Sequence, residues 1–80
     1  MTHEVYIKPG VYEHYKGKRY EVVGLARHSE TLEPLVVYKA LYETEFGLDS
    51  LWVRPLIMFT EEVEIKGQKV PRFRYLATDN

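Results

Sequence analysis

The feature that most constrains this chain is a series of short segments rich in Tyr and Val, separated by polar turns that contain Gly or Pro. Residues 10–15 and 19–27 flank the turn Lys16-Gly17-Lys18, a pattern that predicts a β-hairpin. Residues 35–42 are apolar on nearly both faces, which is typical of a strand at the centre of a sheet. The chain is therefore expected to form an antiparallel sheet of short strands.

The second half continues this pattern after one helical interruption. A short fourth strand, residues 51–53, ends at Arg54-Pro55, and residues 56–59 lack period-2 alternation. Because Pro suits the first position of a helical turn, these four residues are predicted to form one turn of 3₁₀ or α-helix. A final hairpin is expected over residues 61–76, turning at residues 66–69.

Alternation in this final hairpin also predicts a register. Val63 and Ile65 alternate with glutamates, while Phe73 and Tyr75 alternate with arginines. We expect the two apolar pairs to face each other, which requires an odd loop length or a bulge. The glutamates at 62 and 64 would then lie near Arg72 and Arg74.

The whole pattern predicts an all-β protein. Five or six short strands with one 3₁₀ or helical turn before the last hairpin indicate a small antiparallel SH3-like barrel. An OB-like fold or another small β-roll remains the alternative. A chain of 80 residues is expected to be one domain over 1–80, with a compact part at about 8–76 and short flexible termini.

Several classes of protein are disfavoured by composition. The chain has no Cys, so neither disulfides nor thiolate zinc sites are expected. No apolar run approaches the roughly 18 residues that a membrane span needs, and the first residues do not resemble a signal peptide. We therefore expect a cytoplasmic protein with no membrane partner. The 11 basic and 12 acidic residues nearly cancel, so any binding of polyanions must be local.

Several uncommon residues in a fixed order carry a resemblance to a known family. They are Gly10-x-Tyr12-x-His14-Tyr15-Lys16-Gly17, Ala26-Arg27-His28-Ser29-Glu30-Thr31, Val37-Tyr38, Leu41-Tyr42, Trp52-Val53-Arg54-Pro55, Met58-Phe59 and Arg72-Phe73. Over about residues 10–76, this pattern closely resembles the bacterial family "domain of unknown function 1653". The resemblance implies a small bacterial domain, found alone or joined to other modules, and no particular activity.

The segment Arg27-His28-Ser29-Glu30-Thr31 is the first candidate for a ligand site. It gathers ionisable and hydroxyl groups between two predicted strands, where a rigid scaffold often positions binding residues. Trp52 and Arg54 are added because an arginine held between Trp and Pro can clamp a carboxylate or phosphate, or stack on an aromatic ring. The alternative is structural: the hydroxyls close a turn and Arg54 pairs with Glu30 or Glu33.

Catalysis and metal binding receive less support. Ser29 is adjacent to His28 and Glu30, but neighbours on an extended segment point to opposite faces, so adjacency does not make a catalytic triad. His14 and His28 are too far apart along the predicted strands to share a metal ion with Glu30 and Glu33. We predict no metal site, no cofactor and no assigned catalytic residue. A small hydrolase or transferase using His28 with Ser29 or Glu30 remains the enzymatic alternative.

Basic residues collect at the two hairpins although the net charge is close to zero. The last hairpin carries Lys66, Lys69, Arg72 and Arg74. The first carries the set that we predict as a weak nucleic-acid surface, interleaved with aromatic rings: Tyr12, His14, Tyr15, Lys16, Lys18 and Arg19. The alternative is a solvated face with lysines that guard the sheet edges.

These observations favour a non-enzymatic binding module that recognises a nucleic acid, a small anionic ligand or a peptide through the 27–31 loop and the nearby aromatic surface. Nucleic acid is the first expected partner. Loss of binding without unfolding is expected for Arg54→Ala and His28→Ala. A structural or oligomerising domain is the third possibility, because a core this small often needs a partner.

Overall fold

A computed structural model describes residues 6–77 as seven β-strands and one short helix. The elements are β1 (Gly10–His14), β2 (Arg19–Arg27), β3 (Pro34–Ala40), β4 (Leu51–Pro55), α1 (Leu56–Phe59), β5 (Glu62–Ile65), β6 (Gln68–Pro71) and β7 (Phe73–Ala77). Within this described part of the chain, no helix is long and apolar enough to cross a membrane.

The strands form two antiparallel sheets. The larger has the order β4-β3-β2-β1-β7, and β5 and β6 form a separate hairpin. The predicted all-β class is confirmed, as is the helical turn that precedes the last strands. The five-stranded sheet is open, with β4 and β7 at its edges, and it is compatible with a small barrel-like fold.

The core lies on the inner face of the five-stranded sheet. Alternation along β3 buries Val36, Tyr38 and Ala40, which face the same side as Val22 of β2. The helix α1 closes this face because Phe59, 1% exposed, stacks on Phe73 with a centroid distance of 4.0 Å and an interplanar angle of 4°. The single turn is thus held by packing and not by its own length.

The start and end of α1 follow from local chemistry. Pro55 precedes the first helical residue with φ −53°, as predicted from its fixed ring geometry. At the other end, the Thr60 hydroxyl and backbone N–H both donate to the Leu56 carbonyl, at 2.9 Å and 3.0 Å. Some of the carbonyl groups at the end of α1 thereby accept hydrogen bonds, and the chain continues into β5.

The predicted register of the last hairpin is wrong. Residues 70–76 do not form one strand: β6 ends at Pro71, the chain bends at Arg72, and β7 joins the other sheet. Val63 pairs with Val70, whereas Phe73 pairs with His14 of β1. The turn has two residues, Lys66 and Gly67, both with positive φ, so an even loop replaces the odd one that was expected.

The sheet has two chemically different ends. Because neighbouring strands are antiparallel, the β1–β2 turn, the β3–β4 loop and the start of β7 share one end, which we call the Lys16 end. The β2–β3 loop, residues 28–33, lies at the opposite end, which we call the His28 end. This division decides which candidate residues can act together.

Candidate functional site

The turn at the Lys16 end holds His14 in one orientation. His14 is the last residue of β1, and its ring meets Phe73 edge-on, with centroids 4.9 Å apart. The Lys16 backbone N–H donates to His14 Nδ1 at 3.1 Å, and Gly17 closes the turn with φ +103°. A neutral His14 therefore carries its proton on Nε2.

The surroundings of His14 favour this neutral form. Burial lowers the pKa of His14 below its usual 6.5, and the positive charges of Arg54, Arg72 and Lys16 lower it further. At neutral pH the imidazole is thus an uncharged N–H donor surrounded by cations. Such an arrangement suits an anion, which can accept from the ring and interact with the neighbouring charges.

Three cations at the Lys16 end lie over aromatic rings. The distances from cation to ring centroid are 5.9 Å for Lys16 over Tyr15, 4.7 Å for Lys18 over Tyr42 and 5.5 Å for Arg54 over Phe73. The ion pairs found within residues 6–77 involve other cations, namely Arg19, Lys39, Arg72 and Arg74. The charges of Lys16, Lys18 and Arg54 therefore remain available to a ligand.

Tyrosine hydroxyls extend the site toward β3. Arg54 Nε donates to the Tyr38 hydroxyl at 3.3 Å, and the hydroxyls of Tyr20 and Tyr42 share a hydrogen bond of 2.6 Å. Burial and the bond to Tyr42 raise the pKa of Tyr20 well above its ordinary value. The Tyr20 phenol is thus neutral at physiological pH, and Tyr42 offers the face of its ring to Lys18.

A cleft of about 590 Å³ opens between the β1–β2 turn and the β5–β6 hairpin. Its volume is within the range of small-ligand pockets. Its lining comprises Glu13, His14, Tyr15, Lys16, Gly17, Ile65, Val70, Pro71 and Arg74. Arg74 Nη2 donates to Glu13 at 2.6 Å, so these two charges compensate each other, while Lys16 adds a positive charge and His14 a neutral N–H donor to the lining.

The 27–31 loop lies at the His28 end, away from this cleft, and its polar groups close its own turn. Arg27 Nη1 donates to the Leu32 carbonyl at 2.8 Å, and His28 Nδ1 accepts from the backbone N–H groups of Glu30 (3.1 Å) and Thr31 (3.3 Å). No hydrogen bond joins His28 to Ser29 in the described chain. A role for these residues in binding stays a prediction.

The structure separates the residues that the sequence grouped into one ligand site. Trp52 pairs across the ladder with Tyr38, and its Nε1 donates to Ser50 Oγ at 3.0 Å. Arg54 contacts Phe73 of β7 through its guanidinium. Trp52 thus lies toward the Lys16 end, whereas Arg54 pairs with Val36 nearer the His28 end and only its guanidinium reaches Phe73. Within residues 6–77 neither residue shares a hydrogen bond or ion pair with the 27–31 loop.

Four of the six residues predicted as a nucleic-acid surface do meet at the Lys16 end. His14, Tyr15 and Lys16 line the cleft, and Lys18 lies in the same turn. Arg19 pairs instead with Glu13 at 3.8 Å. Tyr12 is buried in the core, where its hydroxyl donates to the Lys8 carbonyl at 2.7 Å. Tyr12 is therefore not free to stack on a base.

Sequence reasoning missed the contributions of Arg72, Phe73 and Tyr42. Arg72 Nη2 donates to Glu61 at 3.1 Å, while its Nε is buried without a hydrogen-bond partner in the described structure. The break at Pro71 is the one sequence signal that pointed here, because a residue lacking an N–H interrupts a ladder. Across the described residues, no three His, Asp or Glu side chains are grouped as a metal site would require.

Comparison with known proteins agrees with the resemblance seen in the sequence. Residues 10–75 match the family model described as "Protein of unknown function (DUF1653)". The chain belongs to the DUF1653 family. A solved crystal structure of a DUF1653 protein from Bordetella bronchiseptica is 42% identical to this chain, covers 92% of each chain and has a TM-score of 0.81. No curated protein matches.

Proposed function

We propose that this DUF1653 chain is a binding module for an anionic ligand, with single-stranded nucleic acid as the first candidate. The observation that carries the proposal is the set of three cations at the Lys16 end that lie on aromatic faces and not on carboxylates. Together with the N–H of His14 they form a local positive surface on a protein whose net charge is −1. A bacterial and cytoplasmic setting belongs to the same proposal.

The chemistry of a nucleic-acid strand matches this surface. Phosphate oxygens accept from Lys and Arg, and the exposed rings of Tyr15 and Trp52 offer faces on which bases can stack. Stacking tolerates any base, so little sequence preference is expected. A small anionic metabolite or an acidic peptide would use the same cations without the stacking.

The test is a titration of the isotope-labelled protein with mixed-sequence single-stranded RNA, followed in ¹⁵N–¹H spectra at low and near-physiological salt. We expect localised shifts at His14, Tyr15, Lys16, Lys18 and the Trp52 indole that persist at the higher salt. Shifts that vanish with salt, or that are absent throughout, would reject nucleic acid and favour the metabolite or peptide.

Two alanine variants distinguish the Lys16 end from the His28 end. Arg54→Ala is expected to weaken binding of the RNA at least several-fold, because it removes a cation from the proposed surface. His28→Ala is the matched control under this proposal, since the His28 ring accepts hydrogen bonds from backbone N–H groups within the 28–33 turn. Loss of binding in His28→Ala with a native spectrum would instead assign the ligand to the 27–31 loop.

Unfolding of Arg54→Ala is checked by circular dichroism, with Arg54→Lys as the charge-preserving variant.

A further inference from the structure

The outer edge of β4 has unused backbone hydrogen-bonding groups. The Ala40 N–H donates to the Ser50 carbonyl at 3.0 Å, so residues 50, 52 and 54 direct their N–H and C=O groups toward β3. Leu51 and Val53 therefore direct theirs away from the sheet. Within residues 6–77 no hydrogen bond to these outward groups is present. Pro55 is the third residue of β4 that faces away from β3, and it has an outward carbonyl but no N–H.

This edge has few of the features that usually prevent strands from pairing. The β3–β4 register runs from Leu35–Pro55 to Lys39–Leu51 without a bulge. The one charged residue of β4, Arg54, points to the inner face beside Tyr38. The outer face is apolar and exposed at Leu51 and Val53. Natural proteins protect open edges with lysines, bulges, prolines or inward-pointing charges. The strand β4 has no lysine and no bulge, and its protection is limited to the inward Arg54 and to Pro55 at its end.

We propose that β4 pairs with β4 of a second copy of this chain, antiparallel and about a two-fold axis at Val53. Both backbone groups of Val53 then bond to Val53 of the other copy, and Leu51 lies opposite Pro55. The two five-stranded sheets become one continuous sheet. This inference does not rest on the anionic ligand proposed above, although Trp52 and Arg54 take part in both.

Charge and backbone chemistry favour a second copy in this register. Trp52 lies opposite Arg54 on the inner face, in a closely spaced pair where the guanidinium can contact the indole. A register centred on Arg54 would place two guanidinium groups opposite each other, which is repulsive. A register centred on Trp52 would extend the pairing beyond the start of β4 into the loop. The strand is thus self-complementary about Val53.

The first test is disulfide trapping. The natural chain has no Cys, so Val53→Cys introduces one thiol at the proposed axis. Cα atoms of a hydrogen-bonded antiparallel pair lie about 5.5 Å apart, which a disulfide can bridge. Val53→Cys is expected to cross-link nearly completely under mild oxidation. Leu51→Cys is the matched control, because four residues of strand separate the two copies of position 51 by about 13 Å.

The second test measures mass in solution by sedimentation across a range of concentrations. The wild type is expected to dimerise, and both Val53→Lys and Val53→Glu are expected to be monomers with native circular dichroism. Mixing these two variants is expected to restore a dimer, since opposite charges then meet at the axis. Val23→Lys is the control: Val23 is 57% exposed and Val53 60%, but Val23 lies on β2, away from the edge.

Three results would overturn the proposal. They are a wild type that is monomeric at every concentration, a dimer that survives Val53→Lys, and equal cross-linking of Val53→Cys and Leu51→Cys. The first would leave the edge to a strand from another protein, and the others would place the contact between copies elsewhere.

Discussion

His14 joins the turn of the first hairpin to the core and to the cleft. Its Nδ1 is occupied by the Lys16 N–H, its ring packs against Phe73, and its Nε2 carries the remaining proton. The positive charges of Arg54, Arg72 and Lys16, which lie in three separate parts of the chain, lower its pKa. A histidine in this position is a sensitive reporter of any anion that enters the site.

We expect the pKa of His14 to lie below 6.5, and to rise when an anion binds. Arg54→Gln is expected to bring the pKa of His14 part of the way back to its ordinary value, because it removes the positive charge that lowers this pKa most after burial. Arg54→Lys preserves the charge and is the control. The measurement is the imidazole resonance as a function of pH, with and without inorganic phosphate. A pKa that does not respond to Arg54→Gln would contradict the assigned neighbourhood.

The same shift predicts how stability depends on pH. His14 binds a proton less well in the folded protein than in the unfolded chain. Its contribution to the free energy of unfolding is therefore complete above pH of about 6.5, the ordinary histidine pKa. It is lost as the pH falls through the lower folded pKa. Urea denaturation between pH ~7.5 and ~5 is expected to show a steeper fall in the free energy of unfolding for the wild type than for His14→Gln. Parallel curves would refute this.

At the scale of elements, α1 shows how packing can stabilise a helix that is too short to exist alone. One of its four side chains, Phe59, stacks on Phe73, meets Tyr12 edge-on and packs at a tilt against Tyr38. This side chain covers the inner face between the two edge strands. The helix therefore covers the inner face of the open sheet.

Phe59→Ala is expected to destabilise the fold by about 3–5 kcal/mol, since it removes a fully buried ring and leaves a cavity. Ile57→Ala, in the same helical turn, is the control, because Ile57 is 75% exposed and Phe59 only 1%. The control is expected to change stability by less than about 0.5 kcal/mol. Both values come from urea denaturation. Similar losses for the two variants would mean that α1 is held by something other than Phe59.

At the scale of the whole molecule, charge is segregated although it nearly cancels. Within residues 6–77, no ion pair involves Lys16, Lys18 or Arg54, whose charged groups lie at the Lys16 end, whereas Lys39 on the outer face pairs with Glu21 at 3.3 Å. A ligand with several negative charges is therefore expected to bind in one orientation and to respond to local substitutions rather than to net charge.

Salt dependence of RNA binding tests this segregation. Lys18→Gln is expected to reduce the slope of log K against log salt by about 0.7, which is the contribution of one phosphate contact on a single strand. Lys39→Gln removes the same charge from the outer face and is expected to leave the slope unchanged. If both variants reduce the slope equally, the binding is a diffuse response to total charge.

Local patterns predicted much of the fold. The Tyr- and Val-rich segments 10–15 and 19–27 around the Gly-containing turn Lys16-Gly17-Lys18 predicted the first hairpin, and Pro55 predicted the turn of α1. The register of Phe73 was predicted wrongly because alternation tells which residues share a face and not which strand lies opposite them. The same limit applies to the grouping of Arg54 with the 27–31 segment: the sequence does not show that its guanidinium contacts Phe73, and the binding role of these residues stays a prediction.

The sequence by itself determined the all-β class, the first hairpin, the helical turn and the family, because these depend on short-range alternation, on Gly and Pro geometry and on the order of residues. The tertiary structure alone decided that the Arg54 guanidinium lies beside Phe73 and near His14, while the 27–31 loop closes its own turn at the other end. It also left β4 at an open edge. Those features depend on which strands pair across long stretches of chain, and pairing is set by the packing of the whole core rather than by any local segment.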